Sequence, residues 1–241
     1  MENNNKTILL IPDVHGRSFW REGISLRFPD ELVVFLGDYT DPYTRDEGIK
    51  HDVVPGMLRE ILETSNAIFL LGNHDLSYVY PGFTRVRHDM CPERCSELRD
   101  IFEENHDRFA LTHTVRVGKK IYIFSHAGLL ADYYKHKSTD TPVRVASRLN
   151  KRWLERDPSL CADLDVYSWY RGGFIDPVGS CVWSDVREHL GRTNSYWDKV
   201  YQVFGHTMLK EGAIIQESLF ACIDCKRPVR LHTNKFRLET L

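Results

Sequence analysis

No apolar run in this 241-residue sequence approaches the roughly 20 residues that a membrane span needs. The longest, such as Leu32–Leu36, are of strand length. Met1–Lys6 is polar, with no basic segment followed by an apolar one, and so does not read as a signal peptide. Neither sign of charge dominates: 32 Lys and Arg stand against 34 Asp and Glu, a formal net charge of −2. Nothing in that balance draws the chain toward nucleic acid or an anionic membrane. Repeats, low-complexity tracts and Pro/Gly/Ser linkers are absent too, so residues 1–241 read as a single domain. Cys91, Cys95, Cys161, Cys181, Cys222 and Cys225, without an export signal, read as free thiols of a reducing cytoplasm.

What the sequence does contain is an alternation of short apolar runs and helical stretches. Thr7–Ile11, Leu32–Leu36 and Ala67–Leu71 have the continuous apolar character of strands buried on both faces. Between the second and third, Ile49–Thr64 is long enough for a crossover helix, with Pro55 as a kink or a late start. This spacing predicts an α/β core with parallel strands. Leu111–Val117 and Lys120–Ser125 flank Gly118-Lys119, a hairpin signal. Further strands are expected at Val200–Phe204, Ala213–Gln216, Leu219–Asp224 and Lys235–Glu239, and a helix from Pro142 to Glu155. Residues ~130–200 read as an aromatic-rich insertion packed near one end of the core; every tryptophan except Trp20 falls between residues 153 and 197.

Five of the expected strands run straight into metal-ligand residue types. The endings are Asp13-Val14-His15-Gly16, Gly37-Asp38-Tyr39-Thr40-Asp41, Gly72-Asn73-His74-Asp75, Ser125-His126-Ala127-Gly128 and Gly205-His206-Thr207. Ligands of open α/β sheets sit outside the carboxyl ends of the strands. If the strands are neighbours, Asp13, His15, Asp38, Asn73, His126 and His206 converge on one spot. Carboxylate, imidazole and amide oxygen together suit Mn²⁺, Fe or Zn²⁺, and Asp38 could bridge two ions. A lone Asp-x-His turns up by chance; five such endings in order do not.

These segments resemble the successive motifs of the calcineurin-like metallophosphoesterase superfamily, and the resemblance runs from Asp13 to Thr207. Val182-Trp183-Ser184-Asp185 is similar to a Trp-Ser-Asp segment of the phosphoprotein phosphatases and their bacterial and dinucleotide-polyphosphatase relatives. The resemblance implies a β-sandwich with helices on both outer faces. It also implies a first divalent ion on Asp13, His15 and Asp38, and a second on Asp38, Asn73, His126 and His206. Mn²⁺ is the first choice of metal, with Fe or Zn²⁺ as alternatives. His74 would be the general acid, oriented by Asp41.

One departure from the pattern concerns the substrate. The phosphatase branch follows its second motif with Arg-Gly, whereas Asp41 is followed by Pro42-Tyr43. Arg45 or Arg171 could take over the phosphate contact. The expected reaction is hydrolysis of a phosphate monoester by a metal-bridging hydroxide, with His74 protonating the leaving group. The alternative is a phosphoanhydride or diester hydrolase, such as a dinucleotide polyphosphatase. The substrate would be a phosphorylated small molecule, a nucleotide or a phosphoprotein; oligomeric state stays open. A metal-stabilised scaffold without activity would have no use for a positioned proton donor. Cys91, Cys95, Cys222 and Cys225 could form a zinc site, but the apolar setting of the second pair argues against it. Tyr39 and Tyr43 are candidates for the border of a substrate pocket, and the tryptophans for packing.

Overall fold

The computed structural model describes residues 7–43, 47–84, 92–135, 141–173, 178–190 and 200–241. It has the mixed α/β architecture expected from the sequence, with two sheets flanked by helices. In the first sheet, β1 (Thr7–Ile11), β2 (Leu32–Phe35), β3 (Ala67–Leu70) and β4 (Phe109–Ala110) run parallel. On the other side of β1, β10 (Val229–His232) and β11 (Arg237–Thr240) pair antiparallel. The second sheet has the order β5 (Thr112–Val117), β6 (Lys120–Ser125), β7 (Val200–Phe204), β9 (Phe220–Cys222) and β8 (Ile215–Gln216).

Period-two alternation explains how the sheets stack. Ile8, Leu10, Val34 and Leu36 share a buried cluster with Tyr122, Phe124, Val203 and Ala221 of the second sheet. Leu9, Ile11, Val33 and Phe35 point the other way, into a cluster with Trp20, Leu58 and Ile61 from the flanking helices α1 (Phe19–Ser25) and α2 (Val54–Leu62). Strands buried on both faces must be apolar throughout, which is why these runs are continuous. Each such aliphatic side chain contributes ~1.5–3 kcal/mol by burial.

The crossover helix starts late, as Pro55 suggested. A 3₁₀ turn at His51–Val53 precedes α2, and the proline occupies the first turn, where its missing N–H has no partner to lose. The hairpin turns on Gly118 at φ +56°. The strand expected at Ala213–Gln216 shrinks to Ile215–Gln216, and the last strand lies at Arg237–Thr240. Strand β10 has no counterpart in the sequence reading, because Arg230 interrupts its apolar pattern. The side chain is nonetheless buried, and its Nε donates to Glu31 at 3.0 Å.

The remaining helices are α3 (Asn73–Val79), α4 (Pro92–Glu104), α5 (Ala131–Lys135), α6 (Pro142–Leu154), α7 (Leu160–Leu164) and α8 (Val186–Leu190). Among the described residues, no helix is long and apolar enough to cross a membrane.

Candidate metal centre

All six residues proposed as ligands lie just beyond the carboxyl ends of β1, β2, β3, β6 and β7, five on loops and Asn73 at the start of α3, and all six are nine-tenths or more buried. His126 is at their centre. Its Nε2 lies 3.0 Å from Asn73 Oδ1, 3.1 Å from His206 Nδ1, 3.4 Å from Asp38 Oδ2 and 4.0 Å from Asp13 Oδ2. His15 Nε2 approaches the same Asp38 oxygen at 3.5 Å. Two groups offer ligand atoms within 4.8 Å of one another: His15, Asp38 and His74, and Asp38, His126 and His206. Asp38 is common to both.

The local backbone is bent to achieve this. His15, Asp38, Asp41 and His206 have φ of 45°, 51°, 53° and 64°, in the left-handed region that side chains avoid. Such conformations cost on the order of 1–3 kcal/mol each and persist where the surroundings enforce them. Two glycines are required by close approach. A Cβ on Gly72 would stand 2.0 Å from Asp38 Oδ1, and one on Gly205 equally close to Asp13 Oδ1.

The donor set fits a divalent cation. His15 Nδ1 donates to the carbonyls of Thr40 and Asp41 at 2.9 and 3.1 Å, and His126 Nδ1 to that of Leu36 at 2.8 Å. Each contact fixes a tautomer and leaves the Nε2 lone pair directed at the site. Burial pushes His15 down to about 3 and His206 well below the usual imidazole range, so both are neutral ligand types. His206 Nε2 is buried without a hydrogen-bond partner. Burial raises the Asp13 carboxyl to about 6; it opposes protonation of His126, but Asp38 and Asp13 outweigh it and lift that imidazole to about 10. The acids thus favour a positive charge at the centre, which a divalent ion would supply in place of that proton.

His74, the proposed proton donor, stands at the edge of this cluster. Its Nδ1 donates to Asp41 Oδ2 at 2.8 Å, and Tyr78 donates to the other Asp41 oxygen at 2.6 Å. Burial lowers the His74 pKa, but Asp38 and Asp41 together raise it above the ordinary value. Of the two candidate phosphate-binding arginines, Arg45 lies outside the described residues. Arg171 sits on a 3₁₀ turn (Trp169–Arg171), its Nε 3.1 Å from Asp185 Oδ2. Its Nη2 donates to Thr207 Oγ1 at 2.9 Å and to the His206 carbonyl at 3.3 Å. The arginine is thereby tethered to the loop that carries His206.

Several residues near the centre escaped the sequence reading. Asp75 accepts from the backbone N–H groups of Gly72, Asp38, Tyr39 and Thr40, and from the Thr40 hydroxyl. Its place three residues after Gly72, at the start of α3, was the available signal. Arg17 Nη1 donates to the Asp13 carbonyl at 3.2 Å. Asp224 follows β9 as the other acids follow their strands, and Ala221-Cys222-Ile223-Asp224 carried that signal. Ser184, from the Trp-Ser-Asp segment, donates to the Ala127 carbonyl beside His126.

Tyr39 does not border a pocket; it is fully buried, with its ring 6.1 Å from that of Phe109. Tyr43 does stand beside the cluster, 4.9 Å from the His15 ring. Trp153 and Trp183 are packed, and Trp183 meets His206 edge-on at 5.8 Å, whereas Trp169 is 69% exposed. Trp197 and Cys91 lie outside the described residues. Among those residues no cysteine joins a group that could hold a metal. Cys222 and Cys225 donate instead to the carbonyls of Gly205 and Arg227.

Two stacked sheets with a buried Asp/His cluster at their carboxyl ends fit a metal-dependent phosphoesterase. The chain belongs to the calcineurin-like phosphoesterase family, whose model matches residues 6–209. The family uses divalent metals. Among solved structures, the chain is similar to the cold-active protein-tyrosine phosphatase of a psychrophilic Shewanella species. The two share 13% identity with a TM-score of 0.51, over 98% of this chain and 80% of that one. A point mutant of cold-active protein tyrosine phosphatase gives 14% identity and a TM-score of 0.57, with the same coverage. No curated protein matches the sequence.

Proposed function

We propose that this chain hydrolyses phosphate monoesters, using two divalent ions with Mn²⁺ as the first candidate. Asp13, His15 and Asp38 would hold one ion, and Asp38, Asn73, His126 and His206 the other. The observation that carries this reading is the pair of ligand groups meeting at Asp38 in a buried space. When bound, the ions would offset phosphoryl charge and lower the pKa of a water nucleophile.

The chain's own residues supply the remaining steps. Asp41 holds His74 by its Nδ1, leaving Nε2 to carry the proton that the leaving alkoxide needs. Tyr78 fixes Asp41 in turn. Arg171, oriented by Asp185 and Thr207, would hold a non-bridging phosphate oxygen. Phosphoproteins are among the candidate substrates, since the similar solved structures include a protein-tyrosine phosphatase. The free thiols of Cys161, Cys181, Cys222 and Cys225 fit a reducing, cytoplasmic setting.

A nucleotide phosphoanhydride is the second reading. It is favoured by Trp169 and Tyr170, 69% and 51% exposed on the turn that carries Arg171 and available to stack on a base. The test is a panel of aryl monoester, aryl diester, phosphopeptide and diadenosine polyphosphate with Mn²⁺ added. Preference for the monoester and phosphopeptide is expected. Preference for the diadenosine compound would favour the second reading, and failure to hydrolyse any of them would refute both.

A further inference from the structure

Asp224 lies two residues beyond β9, which runs parallel beside β7 with Phe204 opposite Cys222. It therefore follows its strand next to the loop of His206, and its backbone carbonyl accepts the Leu209 N–H at 2.8 Å. The residue is only 5% exposed, yet its carboxylate makes no hydrogen bond or ion pair among the described residues. The charges acting on it belong to the metal centre. Burial and Asp13 raise its pKa well above the carboxylate range, with Asp38 adding to the effect and Arg17 and His126 opposing it.

The nearby guanidinium is committed elsewhere. Arg17 donates to Glu47 at 2.6 and 3.0 Å and to the Asp13 carbonyl. Tyr43, which packs on His15, lies in the field of Asp38, Asp13 and Asp224. Lys226, two residues on, also donates to Glu47, so the Asp224 segment stands on the Asp13–His15 side of the cluster, its carboxyl buried and its charged form disfavoured until a cation accompanies it. Such a group is costly unless a positive charge accompanies it. It belongs to neither of the two close ligand groups.

We propose that Asp224 is a further anionic partner of the divalent ion on the Asp13–His15 side, setting how tightly that ion is held. The proposal rests on the two-ion reading above. The experiment is a calorimetric Mn²⁺ titration of metal-stripped wild type and Asp224→Asn, with thermal melting of both metal-free proteins.

One of the two sites is expected to weaken by ~10–100-fold, as when outer partners of metal ligands are removed. The other site should keep its affinity, and the metal-free variant should melt no lower than wild type, because the near-isosteric change removes no hydrogen bond or ion pair of the carboxyl group. Unchanged affinity at both sites, equal weakening of both, or a lower metal-free melting point would overturn the role of Asp224 alone. A wild-type protein that binds no Mn²⁺ would instead overturn the two-ion reading, and this inference with it.

Discussion

The Asp75 carboxylate accepts a 2.7 Å hydrogen bond from the backbone N–H of Asp38. The same carboxylate binds the N–H groups of Tyr39 and Thr40 and the N–H of Gly72 ahead of α3. A residue adjacent to the proposed acid therefore holds the strained loop of the proposed bridging ligand. Burial and Asp38 raise Asp75 to about 7, while the donors from Gly72 and Thr40 act in the opposite direction.

Asp75→Asn would turn an N–H donor toward a ring of donors. The expected loss is ~1–3 kcal/mol of stability, the cost of leaving a buried hydrogen-bonding group unsatisfied. Denaturant unfolding of the metal-free protein checks this. A midpoint equal to wild type would show that the loop holds its shape without the carboxylate.

His74→Asn should retain metal and lose ~10²–10⁴-fold in turnover, the usual contribution of a general acid. The deficit should shrink for esters whose leaving group needs little protonation. Turnover measured against leaving-group pKa tests the role, and an equal deficit across the series would contradict proton donation by His74.

Arg171→Ala removes the guanidinium beside His206 and Thr207. A charged hydrogen bond contributes ~1.5–3 kcal/mol, so kcat/KM for a monoester should fall by roughly 10–100-fold. Metal content should not change. Wild-type kcat/KM in the variant would leave the phosphate contact to another residue.

Much of this arrangement was legible because it is local. Each ligand follows its apolar strand within a few residues, and parallel strands of one sheet carry their carboxyl ends to the same side, so order along the chain gave Asp13, Asp38 and Asn73 a shared address. His126 and His206 come from the second sheet, and the same strand-end position marked them. What stayed hidden depends on contacts between distant segments. Strand β10 is disguised by Arg230, whose charge is tolerated only because Glu31, far along the chain, meets it. Asp75 closes a quoted motif and Asp224 follows an apolar run, yet their roles emerge only from the fold, where Asp75 meets the Asp38 loop. Trp169 shows the opposite limit, since a large aromatic side chain usually packs and this one is exposed.

His113, in β5, gives a pH test away from the metal cluster. Burial lowers its pKa from 6.5 to about 4. The unfolded chain takes up this proton below pH 6.5 and the native state only near 4, so the stability tied to the neutral imidazole is complete above that range and declines as pH falls through it. His113→Gln should flatten the decline in unfolding midpoint between those two values. An unchanged slope would assign the acid sensitivity to other groups.

Anomalous diffraction from Mn²⁺-loaded crystals tests the two-ion account most directly. The account predicts two peaks roughly 3.5–4 Å apart, one on each side of the Asp38 carboxylate. One peak, or peaks away from Asp38, would contradict it.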